Sequence, residues 1–183
     1  MSQFLKLKER IQWALDPFAE GQTFKNVPKI RREEAQQREK KLGNDLIGDQ
    51  NNNQWTTKLG EYLVRDVLEI QGQNPRRPRK IDGYSPDWET DQYIVEVKTR
   101  SWCTTGTAGE KVLGVPIKYC DIPELYGKPL LIVAVGYQEW ELRHGQTRYF
   151  GEEIKPRIRQ QLDMWKSWEI TFLPFSELYC EMY

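Results

Sequence analysis

Histidine is almost missing from this chain: 183 residues contain a single one, His144. One histidine cannot be both a general base and a set of imidazole metal ligands, so chemistries built on histidine-rich sites are excluded. Cysteine is nearly as scarce. Cys103, Cys120 and Cys180 are widely spaced, odd in number and without a CxxC pair. That is a poor disulfide framework and a poor zinc site, and it points to reduced thiols in a cytoplasmic protein. Net charge is also absent, with 27 basic residues against 27 acidic ones. A partner held by bulk positive charge is thereby disfavoured, though a local basic face is not. No apolar run reaches membrane-spanning length, the longest being "PLLIVAVGY", and the charged start "MSQFLKLKERIQWALDPF" has no signal-peptide apolar region. No GxxxxGK[ST] or GxGxxG occurs, so there is no support for a nucleotide cofactor, and no internal repeat is visible.

What is present reads as one soluble α/β domain, with 38% apolar and 30% charged residues. The spacing of Phe4, Leu5, Ile11 and Leu15 predicts a short amphipathic helix over 3–15. A charge run after Pro28 is consistent with a further helix, its charges either a solvated face or a nucleic-acid contact. "GDQNNNQ" reads as a loop. Leu59, Tyr62, Leu63, Val67 and Ile70 fall at helical spacing, with Thr56 or Thr57 to cap that helix and Gly72 to end it. Three short extended segments are expected over 80–84, 86–90 and 92–99, with "ETDQ" turning between the last two. Pro116 and Pro123 predict a helix in two pieces. "KPLLIVAVGY" is expected as a central strand. "GEEIKPRIRQQLDMWKSW" should be a helix with acids at its start. "EITFLPF" should be a last strand, and "SELYCEMY" a helical end with Ser176 as its cap. The resulting fold is a mixed central sheet flanked by helices.

Chemistry concentrates in "SPDWETDQYIVEVKTRSW". Alternate strand residues face opposite ways. Tyr93, Val95 and Val97 therefore share one face, and Ile94, Glu96 and Lys98 the other. Asp87, across a hairpin, can reach the same spot. Two converging carboxylates repel unless a cation lies between them. Oxygen ligands suit Mg²⁺, which completes its shell from water and phosphate. A lysine beside it can orient a water and offset charge developing on the phosphate.

Pro86-Asp87 followed by Glu96-Val97-Lys98 on the next strand resembles the PD-(D/E)xK nuclease superfamily, and within it small type II restriction endonucleases. The likeness covers roughly 56–136. It implies a restriction-endonuclease-like domain over 51–183 with a helical N-terminal extension over 1–50. It implies Mg²⁺-dependent cleavage of double-stranded DNA by a homodimer, with Mn²⁺ able to substitute. Asp87 and Glu96 would hold the metal, with the Val97 carbonyl as a third ligand. Lys98 would serve the attacking water, and Glu61, on the preceding helix, would be a supporting acid and a further metal ligand. "TAGEKVLGVPIKY" is similar to the DNA-facing helix of such enzymes.

Blander readings stay open beside these. Glu96 and Lys98 suit a surface ion pair on a sheet's polar face. Asp87 suits a turn after Pro86, and Glu61 suits solvent. Arg76, Arg77, Arg79 and Lys80 lead into the strands as phosphate-contact candidates, with Arg100, Lys111 and Lys118 as further DNA candidates. Trp102 suits either the DNA cleft or the core, and His144 suits a solvated loop. A repair or junction-resolving nuclease of the same fold is a competing function, as is a non-catalytic DNA-binding module. Segments 1–50 and 100–127 exceed a minimal catalytic core, which favours restriction.

Overall fold

The computed structural model describes residues 3–15, 29–48, 55–103 and 112–180. Three helices come first: α1 (Gln3–Leu15), α2 (Lys29–Ile47) and α3 (Trp55–Ile70). Two strands follow, β1 (Trp88–Glu89) and β2 (Ile94–Arg100). The expected broken helix is present as α4 (Val115–Lys118) and α5 (Ile122–Tyr126). The chain then forms β3 (Leu130–Gly136), α6 (Tyr137–His144), α7 (Pro156–Ser167), β4 (Ile170–Pro174) and α8 (Phe175–Cys180). Of "GDQNNNQ", all but Gly48 lies outside the described residues, as does Lys111. No helix among the described residues is long and apolar enough to cross a membrane.

The four strands form one mixed sheet in the order β1-β2-β3-β4. β1 runs antiparallel to β2, pairing Trp88 with Val95 and Glu89 with Ile94. β2 and β3 are parallel, with Glu96 beside Ile132 and Lys98 beside Ala134. β3 and β4 are also parallel. Helices cover both faces, so β3 is buried on both and can be apolar throughout. On one face Val95, Val97, Val133 and Val135 pack with Leu59, Leu63, Val64 and Val67 of α3, and Trp13 and Ala14 of α1 join this core. On the other, Ile94, Ile132 and Ala134 pack with Val115, Tyr119 and Ile122.

The expected run of three extended segments is corrected. Segment 80–84 is a tight turn, not a strand. Ile81 and Tyr84 exchange backbone hydrogen bonds around Asp82 and Gly83, both at positive φ. Asp-Gly is a strong signal for that turn, and two positive φ values break an extended run. Segment 86–90 contracts to the two residues of β1. The solvated loop expected at His144 is corrected too, since α6 runs through His144. A Glu139–Arg143 pair of 3.0 Å one turn apart supports it. His144 is exposed at its end, its ring 5.2 Å from Trp140. The acids before α7 precede the helix, which starts at Pro156 with none in its first turn. Ser176 does not cap α8; the buried Glu139 does, accepting from its N–H and its hydroxyl.

The stripe on α1 is also shifted. Trp13 and Ala14 are buried while Leu15 is exposed, and the side chains of Phe4 and Leu5 lie outside the described residues. In α3 the apolar positions hold except Ile70, which is exposed, and Gly72 follows the helix at φ 73°. The charge run of α2 is mostly solvated, but Glu39 is buried. It accepts hydrogen bonds from Trp13 Nε1, Ser101 Oγ and the Trp102 N–H, while burial pushes its pKa up. Trp102 belongs to the core, its indole N–H on the Trp13 carbonyl.

α3 crosses β2 at Gly60. A Cβ there would stand 1.7 Å from Thr99 Oγ1. We expect Gly60→Ala to lower stability by about 1–3 kcal/mol through overpacking, read as a fall in the denaturation midpoint. An unchanged midpoint would mean that the crossing is looser than described.

Candidate active site

The site forms where β1 stops. β1 begins at Trp88, so β2 has no strand partner beyond Val95 on that side. The Val97 N–H, left without a strand partner, is taken by the carboxylate of Asp87, at 2.8 Å from Oδ2. Continuing the register places Asp87 opposite Glu96. A strand residue's N–H and C=O point to the same edge, so the Val97 carbonyl opens toward Asp87 as well. Pro86 is buried just before it.

Glu96 and Lys98 share a face, as the alternation implies, and they are ion-paired through Glu96 Oε1. The face is not solvated: Glu96 is 4% exposed. Its second oxygen, Oε2, is buried without a hydrogen-bond partner among the described residues. A surface ion pair would have water there. Lys98 is partly exposed and so forms the accessible wall of the site.

Asp87 records the crowding of charge. Its pKa is raised from 3.8 to about 7, first by burial, then by the negative charges of Glu96 and Glu61. The Val97 N–H and Lys98 offset only part of this. Glu61 is buried, not solvated. Its Oε2 accepts from Lys58 Nζ at 2.7 Å and from Arg77 Nη2 at 3.1 Å, and its backbone carbonyl accepts from Trp88 Nε1. Arg77 also donates to the Asp87 carbonyl at 2.8 Å.

Tyr119, at the end of α4, closes the inner side and was not a sequence candidate. It is buried, and its hydroxyl accepts from Lys118 Nζ at 3.3 Å. The phenol pKa is pushed up, first by burial, then by the charge of Glu96 and the approach of the hydroxyl to that carboxylate. No local pattern marks this residue; only its position after Lys118 does.

The remaining DNA candidates separate. Arg76 is exposed but tied to Glu89 and Asp91 at 2.9 Å each. Arg79 and Lys80 are exposed. Arg100 is mostly buried, 2.7 Å from Glu141 and over the ring of Tyr137. Lys118 is exposed at the edge of the site.

Among the described residues no group of three or more His, Cys, Asp or Glu side chains stands ready to enclose a metal ion. The acids available are the pair Asp87 and Glu96, because Glu61 is engaged by two cations. That pair still fits a hard divalent cation. Its donors are all oxygen, Glu96 Oε2 makes no hydrogen bond among the described residues, and the neighbouring Asp87 is held protonated up to about neutral pH, first by burial and then by the charges of Glu96 and Glu61.

No family model matches the chain, and neither a curated protein nor a solved structure matches it.

Proposed function

We propose that this protein is a Mg²⁺-dependent endonuclease of the PD-(D/E)xK type. Its substrate is double-stranded DNA, cut in the manner of a type II restriction endonuclease. The observation that carries this reading is the convergence of two buried acids: Glu96, 4% exposed, and Asp87, whose carboxyl is pushed up to about 7 by burial and by the charges of Glu96 and Glu61. Lys98 pairs with Glu96 and offsets only part of the charge felt by Asp87, so the two acids destabilise the chain unless a further cation joins them, and folds retain such strain at functional sites.

Asp87, Glu96 and the Val97 carbonyl would hold Mg²⁺, or Mn²⁺ in its place. The bound ion would polarise the scissile phosphate and lower the pKa of a water. Asp87 is itself held in place by the Val97 N–H. Lys98 reaches from the accessible side to orient the attacking water and offset charge developing on the phosphate. Tyr119 shuts bulk water out of the inner side. Cutting both strands calls for a second copy related by a two-fold axis.

The test is incubation with plasmid and phage DNA in Mg²⁺ or Mn²⁺, followed by electrophoresis. Discrete fragments are expected. A smear would indicate an unspecific nuclease and remove the restriction role. Intact DNA in both metals would overturn the nuclease reading and favour a binding module.

A further inference from the structure

The cations on Glu61 have no role in the chemistry above, and their geometry is unusual for surface charges. Lys58 and Arg77 both bond to one oxygen, Oε2, of a carboxylate whose side chain is 5% exposed. Two cations on one buried acid leave an excess positive charge at a fixed point. Arg77 is fixed further. Its guanidinium lies 3.9 Å over the Trp88 ring, and its Nη1 is committed to the Asp87 carbonyl. Both side chains still reach solvent, at 31% for Lys58 and 47% for Arg77. Arg77 keeps N–H donors beyond the two described bonds.

We propose that Lys58 and Arg77, organised by Glu61, form a binding site for a backbone phosphate of the DNA strand at the rim of the acid pair. This rests on the nuclease reading and adds to it a place where the strand is gripped. A phosphodiester carries the single negative charge that offsets the excess. A pre-oriented guanidinium loses less entropy on binding it than a free one would. Such contacts set register without reading sequence. Because Arg77 bonds the Asp87 backbone, the phosphate held there is close to the one presented to Asp87 and Glu96. Glu61 is thereby the organiser of a cationic clamp and not a ligand of the ion.

The test measures affinity for a mixed-sequence duplex across a salt series, with Ca²⁺ in place of Mg²⁺. Arg77→Ala and Lys58→Ala should each bind several-fold more weakly at low salt. Each should reduce the salt slope by about one. Arg159→Ala, exposed on α7 at the opposite edge of the sheet, should leave the slope unchanged and controls for bulk charge. Arg77→Lys should keep the parent slope, which separates charge from folding. If the parent binds duplex DNA and the Arg77 and Lys58 alanine variants keep its slope, the clamp is overturned while the nuclease reading stands. A parent that neither binds nor cuts DNA overturns both.

Discussion

Lys98→Met should lower the rate of DNA cleavage in Mg²⁺ by at least about 100-fold, the usual effect of removing a group that acts on the reacting atoms. Methionine keeps the unbranched stem and removes the ammonium. Lys98 is partly exposed, so the fold should persist, and circular dichroism would verify this. The metal-free variant should nevertheless melt lower than the parent. Glu96 is buried and loses its cationic partner, and a buried charge left unpaired is destabilising. Added Mg²⁺ should recover that loss while activity stays low. Cleavage at the parent rate would remove Lys98 from the chemistry.

The second large effect is one of stability. Asp87 has a folded pKa of about 7 against 3.8 for the free carboxyl. Between those values the folded state holds a proton that the unfolded state has released, so stability falls as pH rises through the window. At about pH 8 the whole penalty is in force. Asp87→Asn removes the charge and keeps an oxygen to accept the Val97 N–H. The metal-free variant should therefore be more stable than the parent at about pH 8, on the order of 2 kcal/mol, discounted from about 1.4 kcal/mol per pKa unit. That corresponds to several degrees in Tm. The gain should shrink toward about pH 5, and the variant should not cleave DNA. Calorimetric melts at the two pH values check this. An equal gain at both would mean that neither burial nor the neighbouring acids raise the Asp87 pKa in the folded protein.

The parts of this site visible in the sequence are those encoded by a short period. Alternation along β2 places Glu96 and Lys98 on one face, and helical spacing puts Leu59, Leu63 and Val67 in the core. The turn at Asp82-Gly83 is equally local, marked by an Asp-Gly pair whose two positive φ values an extended strand does not accommodate. The exact stop of β1, which frees the Val97 N–H for Asp87, depends on pairing across a hairpin and has no local signature. Tyr119 and Glu39 are further from reach. Glu39 sits in a charge run that looks solvated, and its partners Trp13, Ser101 and Trp102 are distant in the chain. Glu61 shows the same limit. As a charged helix residue it suits solvent, whereas the fold buries it against Lys58, Arg77 and Trp88, contacts that local spacing does not encode.

The central claim is that Asp87 and Glu96 together hold a divalent cation. Calorimetric titration of Mn²⁺ into the DNA-free protein at about pH 8 tests it most directly. The account predicts saturable binding by the parent, and its loss in both Asp87→Asn and Glu96→Gln. A parent that takes up no Mn²⁺, or a Glu96→Gln variant that binds it as tightly as the parent, would contradict the account.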